Sequence, residues 1–295
     1  MKRFISNVLI LGVCLTPLTV PLMVQPSWAQ SQNSQLEKLK QLQQQALQQI
    51  QQGQHRQAIE TLQQVLAIAR QFTIRNVEAF ALTAIGFNYN SISQPQEALK
   101  YFNQALPITR SVGDRSVESV TLNNIGKVYN SIGQPQEALK YFNQALPIFR
   151  EVGDRMGEAA TLNNISLVYD KISQPQSALK YLNQALLINR EVGNRAGEAT
   201  ILSNIGLVYN SISQQQEALK YYNQALPIIR QVGDRAGEAA TLNNIGSVYN
   251  SISQAQSALK YYNQALPIWR AVGDRAGEAT TLSNIGKVYN SISQA

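Results

Sequence analysis

The sequence predicts an all-α protein, a right-handed superhelical solenoid of antiparallel helix pairs, and three observations carry that prediction. Residue identities recur every forty positions from about residue 34 to the C-terminus: Gly126, Gly206, Gly246 and Gly286 stand on this period with Ser166, and Tyr89, Tyr129, Tyr169, Tyr209, Tyr249 and Tyr289 share it. Each period holds two stretches whose apolar residues recur at three and four, the spacing of a helix with one buried face. Proline or a glycine-aspartate pair separates most of these stretches, and both are helix punctuation. A period of this length marks a unit that buries its apolar face only by stacking on its neighbours.

The first 29 residues stand apart. Met1, Lys2 and Arg3 make a positive start, an apolar run follows from Phe4 to about Val24, and Ser27 and Ala29 set small residues two apart before Gln30. This is the layout of a secretory signal peptide, with cleavage expected after Ala29 and a short linker over residues 30–33. An uncleaved membrane anchor is the alternative, and Pro17 and Pro21 argue against it because each would break a spanning helix. A lipoprotein cysteine at Cys14 would follow Val13, a branched residue where processing wants a small one. The expectation is an exported protein, periplasmic or secreted, with no membrane contact after cleavage. Cys14 is the one cysteine and leaves with the signal, so packing alone must hold the mature chain.

The repeats follow in order. Residues 34–73, rich in glutamine, form a divergent first repeat suited to a polar N-terminal cap. Full repeats occupy 74–113, 114–153, 154–193, 194–233 and 234–273, and an unpaired final helix A occupies 274–295. In the unit 114–153, Val117, Val120, Leu122, Ile125, Val128 and Tyr129 form the stripe of helix A. Residues 131–135 interrupt the pattern, with Pro135 in the first turn of helix B. Ala138, Leu139, Phe142, Ala145, Leu146, Phe149 and Val152 then form the stripe of helix B. Gly126 and Ala138 allow close approach, with Tyr129 and Phe142 filling the space beside them.

Val-Gly-Asp-Arg recurs at 112–115, 152–155, 232–235 and 272–275, with Asn194 in place of aspartate once. Glycine suits a left-handed helix end, and Asp or Asn caps the free amides of the next helix. Glu118, Glu158, Glu198, Glu238 and Glu278 fall near the positive end of helix A. Pro107, Pro147, Pro227 and Pro267 lie inside helix B, and the apolar spacing continues across them, so a bent but continuous helix is expected. Trp269 is expected in the core. Ile285, Val288 and Tyr289 have no helix B after them, a face expected to be covered by further chain or another subunit, with end-to-end self-association one possibility.

Leu122, Ile125, Gly126, Tyr129, Ala138, Phe142 and Ala145 have the spacing of the tetratricopeptide repeat, which the chain resembles over nearly all of its mature length. Arg110, Arg150, Arg190, Arg230 and Arg270 stand where that repeat usually closes with proline, and helix B runs on by about two turns. The longer form is similar to the forty-residue subclass found in cell-polarity adaptors and many bacterial proteins, on Asn124-Ile125-Gly126, Asn204-Ile205-Gly206 and Gly233-Asp234-Arg235. Some exported bacterial members carry a caspase-like peptidase domain after the repeats. The resemblance thus allows a second expectation, a sensor or substrate-docking arm of a larger exported protein.

Catalysis has little material. The mature chain has no cysteine nucleophile, and its one histidine, His55, is expected on the surface of the first turn. No clustered ligands suggest a metal, and no cofactor is expected. Lys and Arg number 25 against 18 Asp and Glu, net +7, spread along the repeats beside acidic neighbours, which argues against a nucleic-acid face. A non-enzymatic scaffold for protein or peptide is the expectation.

Its candidate surface lies on helix A beside the core stripe. Asn124, Asn164, Asn204, Asn244 and Asn284 form a column one period apart, flanked by Asn123, Asn163 and Asn243. In the resembled family this face lines a concave groove. A ladder of carboxamides there would pair with the backbone of an extended peptide, each donating and accepting. Alternatively, the column bonds only to water or to the adjacent helix. Lys127, Leu167 and Leu207 share the neighbouring position and would set specificity, for aliphatic side chains with some negative charge. The clamp that holds a terminal carboxylate in some relatives is matched only by Lys127 and Asn164, and that function is not carried over.

Overall fold

The computed structural model describes residues 27–293, with side chains from Ser34. The apolar run of the expected signal peptide lies outside the described residues. Within them the chain is all helix: α1 (Ser27–Gln51), α2 (His55–Gln71), α3 (Arg75–Ser91), α4 (Pro95–Val112), α5 (Arg115–Ser131) and α6 (Pro135–Glu151) come first. They are followed by α7 (Arg155–Lys171), α8 (Pro175–Glu191), α9 (Arg195–Ser211), α10 (Gln215–Gln231), α11 (Arg235–Ser251), α12 (Ala255–Val272) and α13 (Arg275–Ser293). Consecutive helices pack as antiparallel pairs, the architecture of a repeat solenoid. Two compact units divide within α7, one ending at Thr161 and the other beginning at Leu162.

The punctuation works as its chemistry requires. Gly113, Gly153, Gly193, Gly233 and Gly273 all adopt positive φ at repeat boundaries. The following Asp114, Asp154, Asn194, Asp234 and Asp274 each accept a hydrogen bond from a backbone amide three residues on, at 2.8–3.1 Å. The turn inside each repeat also needs positive φ, and there Ser93, Ser173, Ser213 and Ser253 take the conformation that Gly133 adopts at its equivalent place. Helix B continues through Pro107, Pro147, Pro227 and Pro267. These positions face solvent, as do Asn103, Asn143, Asn223 and Asn263, whose carbonyls lose the missing proline donor.

Packing inside a repeat depends on one close contact. A Cβ built on Gly86, Gly126, Gly206 or Gly246 would lie 2.7 Å from the ring of Phe102, Phe142, Tyr222 or Tyr262 on the paired helix. In the one full repeat where serine replaces this glycine, Ser166, the ring is replaced by Leu182, and both are buried. Beside this contact Tyr89–Tyr101, Tyr129–Tyr141, Tyr169–Tyr181, Tyr209–Tyr221 and Tyr249–Tyr261 stack with centroids 5.3–5.4 Å apart. Trp269 is in the core as expected, its ring over Gly277.

Between repeats, a buried glutamate ties two arginines together. In the first unit Glu118 accepts from Arg110 Nε at 2.9 Å and from Arg115 at 2.6 Å, and Glu78 does the same with Arg70 and Arg75. In the second unit Glu198 takes Arg190 and Arg195, and Glu238 takes Arg230 and Arg235. These glutamates therefore do more than complement a helix dipole. Each joins the end of one helix B to the start of the next helix A.

Three expectations are corrected. Residues 30–33 are not a linker but part of α1, because the run from Ser27 to Gln51 has no glycine or proline to stop a helix. His55 is not a free surface histidine: it is half-buried, with Nδ1 2.9 Å from Asn88 Oδ1. Of the stripe on α13, Val288 is fully buried, while Tyr289 is 57% exposed and no atom meets a Cβ built on Gly286.

Candidate functional site

The column asparagines Asn124, Asn164, Asn204, Asn244 and Asn284 lie at one equivalent position of α5, α7, α9, α11 and α13, each half-buried at the edge of the core stripe. The first unit contains Asn123, Asn124 and Lys127 on α5. Asn123 is buried, and its Oδ1 accepts from Thr161 Oγ1 at 3.2 Å. Asn124 is half-buried and makes no side-chain hydrogen bond among the described residues. Lys127, three residues on, is half-buried without a carboxylate in ion-pair reach, and desolvation holds its ammonium below the usual lysine pKa.

The second unit holds the rest. Asn204 Nδ2 donates to Asn163 Oδ1 at 2.8 Å, from α9 to α7. Asn243 Oδ1 accepts from Thr281 Oγ1 at 3.2 Å and from Asn284 Nδ2 at 3.3 Å, joining α11 to α13. Asn164 is half-buried on α7, and Asn244 is half-buried on α11 without a side-chain hydrogen bond among the described residues. Leu167 and Leu207 are each 41% exposed beside these carboxamides.

The column is thus partly spent on the structure itself. An asparagine of one helix A, through its Oδ1, takes the amide of the asparagine 41 positions later on the next helix A. Where the earlier residue is a hydroxyl residue, Thr83 or Ser203, the bond is missing. Thr83 Oγ1 shares a hydrogen bond with Thr121 instead, and Ser203 Oγ has no partner. The alternation of Asn with Thr and Ser at this position was visible in the sequence; its effect on the neighbouring column was not.

A second unmet polar group lies nearby in the same repeat. Tyr222, fully buried over Gly206, has no partner for its hydroxyl, and burial pushes its pKa well above the usual tyrosine value. Burial likewise pushes the Tyr262 hydroxyl up, one period on, and the Ser247 hydroxyl beside it opposes the rise. Among the described residues no group of three or more His, Cys, Asp or Glu is placed to hold a metal ion, and no helix is long and apolar enough to cross a membrane.

The tetratricopeptide repeat profile matches residues 39–111, 117–191, 174–231 and 237–294, and the chain belongs to that family. Such repeats are scaffolds for protein interaction and typically not catalytic. No curated relative matches the sequence. Among solved structures, BtubC from P. vanneervenii aligns with a TM-score of 0.66 at 19% identity over 75% of this chain and 92% of its own. A signal transduction ATPase with a tetratricopeptide repeat sensor from Pyrococcus horikoshii aligns at 0.69 and 17% identity, over 83% of this chain and 40% of its own. A Rap protein complexed with competence and sporulation factor aligns at 0.59 and 14% identity, over 85% and 74%. These likenesses show the fold.

Proposed function

We propose that this protein is a non-enzymatic scaffold that holds extended peptide segments of a partner protein on the asparagine face of its A helices. One observation carries the reading: in the second unit, Leu167 and Leu207 stand exposed on the same face as the half-buried carboxamides Asn163, Asn164 and Asn204. Apolar side chains beside fixed donors and acceptors suit an extended main chain with aliphatic side chains. Export belongs to this reading, on the positive start, apolar run and small residues of positions 1–29. Intact-mass measurement of the protein from its source cell tests it, with Gln30 expected as the first residue.

The binding test is affinity capture from the exported fraction with the full chain and with a variant carrying Asn164→Ala, Asn204→Ala and Asn244→Ala. A partner retained by the first and lost by the second, at equal helicity, is the expected result. Identical recoveries from both would move the function off this face.

A second reading is favoured by the open socket at Gly286 and the unstacked ring of Tyr289. It makes the chain a docking arm of a larger exported protein, with further structure against α13. Sequencing the open reading frame past codon 295 tests it. Concentration-dependent oligomers lost in Tyr289→Glu would instead assign that face to a second copy.

A further inference from the structure

We infer that each unit has one step at which a ligand's main chain is gripped with both edges of a carboxamide, Asn124 in the first unit and Asn244 in the second. The inference rests on the peptide-binding reading above and narrows it to the steps where the carboxamide is unspent.

Within the second unit the structure bonds the column to itself at two steps, each with an asparagine 41 positions earlier on the preceding helix A. Asn204 gives its Nδ2 to Asn163, and Asn284 gives its Nδ2 to Asn243. A carboxamide whose amide is engaged in this way offers a ligand its remaining edge. Asn124 and Asn244 keep both edges, because Thr83 and Ser203 have no carboxamide oxygen to offer them. A free carboxamide presents a donor and an acceptor side by side, which matches the C=O and N–H that an extended peptide presents along one edge.

The two steps differ in what lies beside them. Lys127, three residues after Asn124, is a half-buried cation with no carboxylate in ion-pair reach. On the groove face of α5 it selects a peptide with an acidic side chain near the gripped amide. Leu207, on the helix before Asn244, is 41% exposed, and the position three after Asn244 is the uncharged Ser247. That step therefore selects an aliphatic side chain. In the preceding repeat Ser203 Oγ and the hydroxyl of Tyr222 have no hydrogen-bond partner among the described residues.

The test uses a displayed library of random peptides of roughly twelve residues, long enough to cross several A helices when extended. Clones enriched on the immobilised full chain are measured by fluorescence anisotropy. Ser203→Asn supplies an oxygen for Asn244 Nδ2 and leaves Asn244 itself unsubstituted with its Oδ1 edge open, so unchanged helicity and a thermal midpoint at or above the parent's are expected with it. Every clone is expected to weaken about tenfold with Asn124→Ala or with Asn244→Ala, the worth of one or two buried hydrogen bonds. Clones sensitive to Asn244→Ala should weaken with Ser203→Asn too, but less, because only the Nδ2 edge is taken. N-methylation of the gripped peptide bond removes the N–H that Asn244 Oδ1 accepts, so it should weaken binding on the parent chain and on Ser203→Asn alike and add nothing on Asn244→Ala.

Clones that ignore Asn124→Ala, Asn244→Ala and Ser203→Asn but are lost with Asn164→Ala plus Asn204→Ala would overturn this inference and leave the groove reading standing. An absence of enriched clones, or clones indifferent to all these changes, would remove the groove reading and this inference with it.

Discussion

Gly126 and Phe142 form a matched pair: the ring lies where a side chain on residue 126 would have to be, 2.7 Å from its Cβ. The same chain contains the compensated alternative, Ser166 with Leu182. Gly126→Ser is therefore expected to destabilise by about 1–3 kcal/mol through overpacking. Phe142→Leu alone should also destabilise, by leaving a void. The double variant should recover most of both losses. Urea unfolding of the four proteins checks this, and simple additivity would refute the pairing.

Tyr222→Phe should raise stability. Its hydroxyl is buried and unmet, a state that costs about 1–3 kcal/mol, and Phe142 already fills the equivalent place. Tyr262→Phe should bring no such gain, because its hydroxyl has Ser247. Thermal midpoints of the two variants make the comparison.

Ser213 holds φ at 57°, where Gly133 at the equivalent position holds 78°. A left-handed residue with a side chain costs about 1–2 kcal/mol, so Ser213→Gly should stabilise by about 1 kcal/mol after the extra chain entropy of glycine is discounted. Urea unfolding of the parent and the variant gives the sign directly.

The tie of Glu278 to Arg270 and Arg275 should fail in acid. Glu278 is held below the usual glutamate range, first by its hydrogen bond from Arg270; desolvation opposes this, and the hydrogen bond from Arg275 adds to the lowering. Its folded pKa is lower than its unfolded one, so its contribution is complete above the ordinary glutamate range. It is lost as pH falls through the depressed value. Hydrogen exchange should show α13 loosening below about pH 4, and Glu278→Gln should remove that pH dependence.

Glu238→Gln tests the buried form of the same tie. Breaking a fully buried pair costs about 3–5 kcal/mol. Here Arg230 and Arg235 are half-exposed, so a loss of about 1–3 kcal/mol is expected. Calorimetry of the variant measures it.

Helix positions were legible because the chain marks them locally. Pro95, Pro135 and Pro175 open helices, and Gly153 with Asp154 closes one and caps the next. Trp269 and the closely packed Gly126 could also be read from spacing alone. The linker at 30–33 was misread because a change of composition there is not a change of conformation. The ties of Glu118 to Arg110 and Arg115 are not legible in the sequence because the seven residues between Arg110 and Glu118 include a turn, where helical spacing carries no meaning. The column asparagines were legible as a surface. Which of them were already engaged was not, because Asn163 and Asn204 meet only through the crossing of two helices.

The matched pairs limit how the gene can change length. Deletion of one forty-residue period ordinarily returns each A helix to an equivalent B helix, since the pair lies within a repeat. Loss of residues 167–206, however, would leave Ser166 facing Tyr222 and recreate the collision that glycine avoids at Gly206. Crossover within the array is therefore silent at some breakpoints and damaging at others, and one serine decides which.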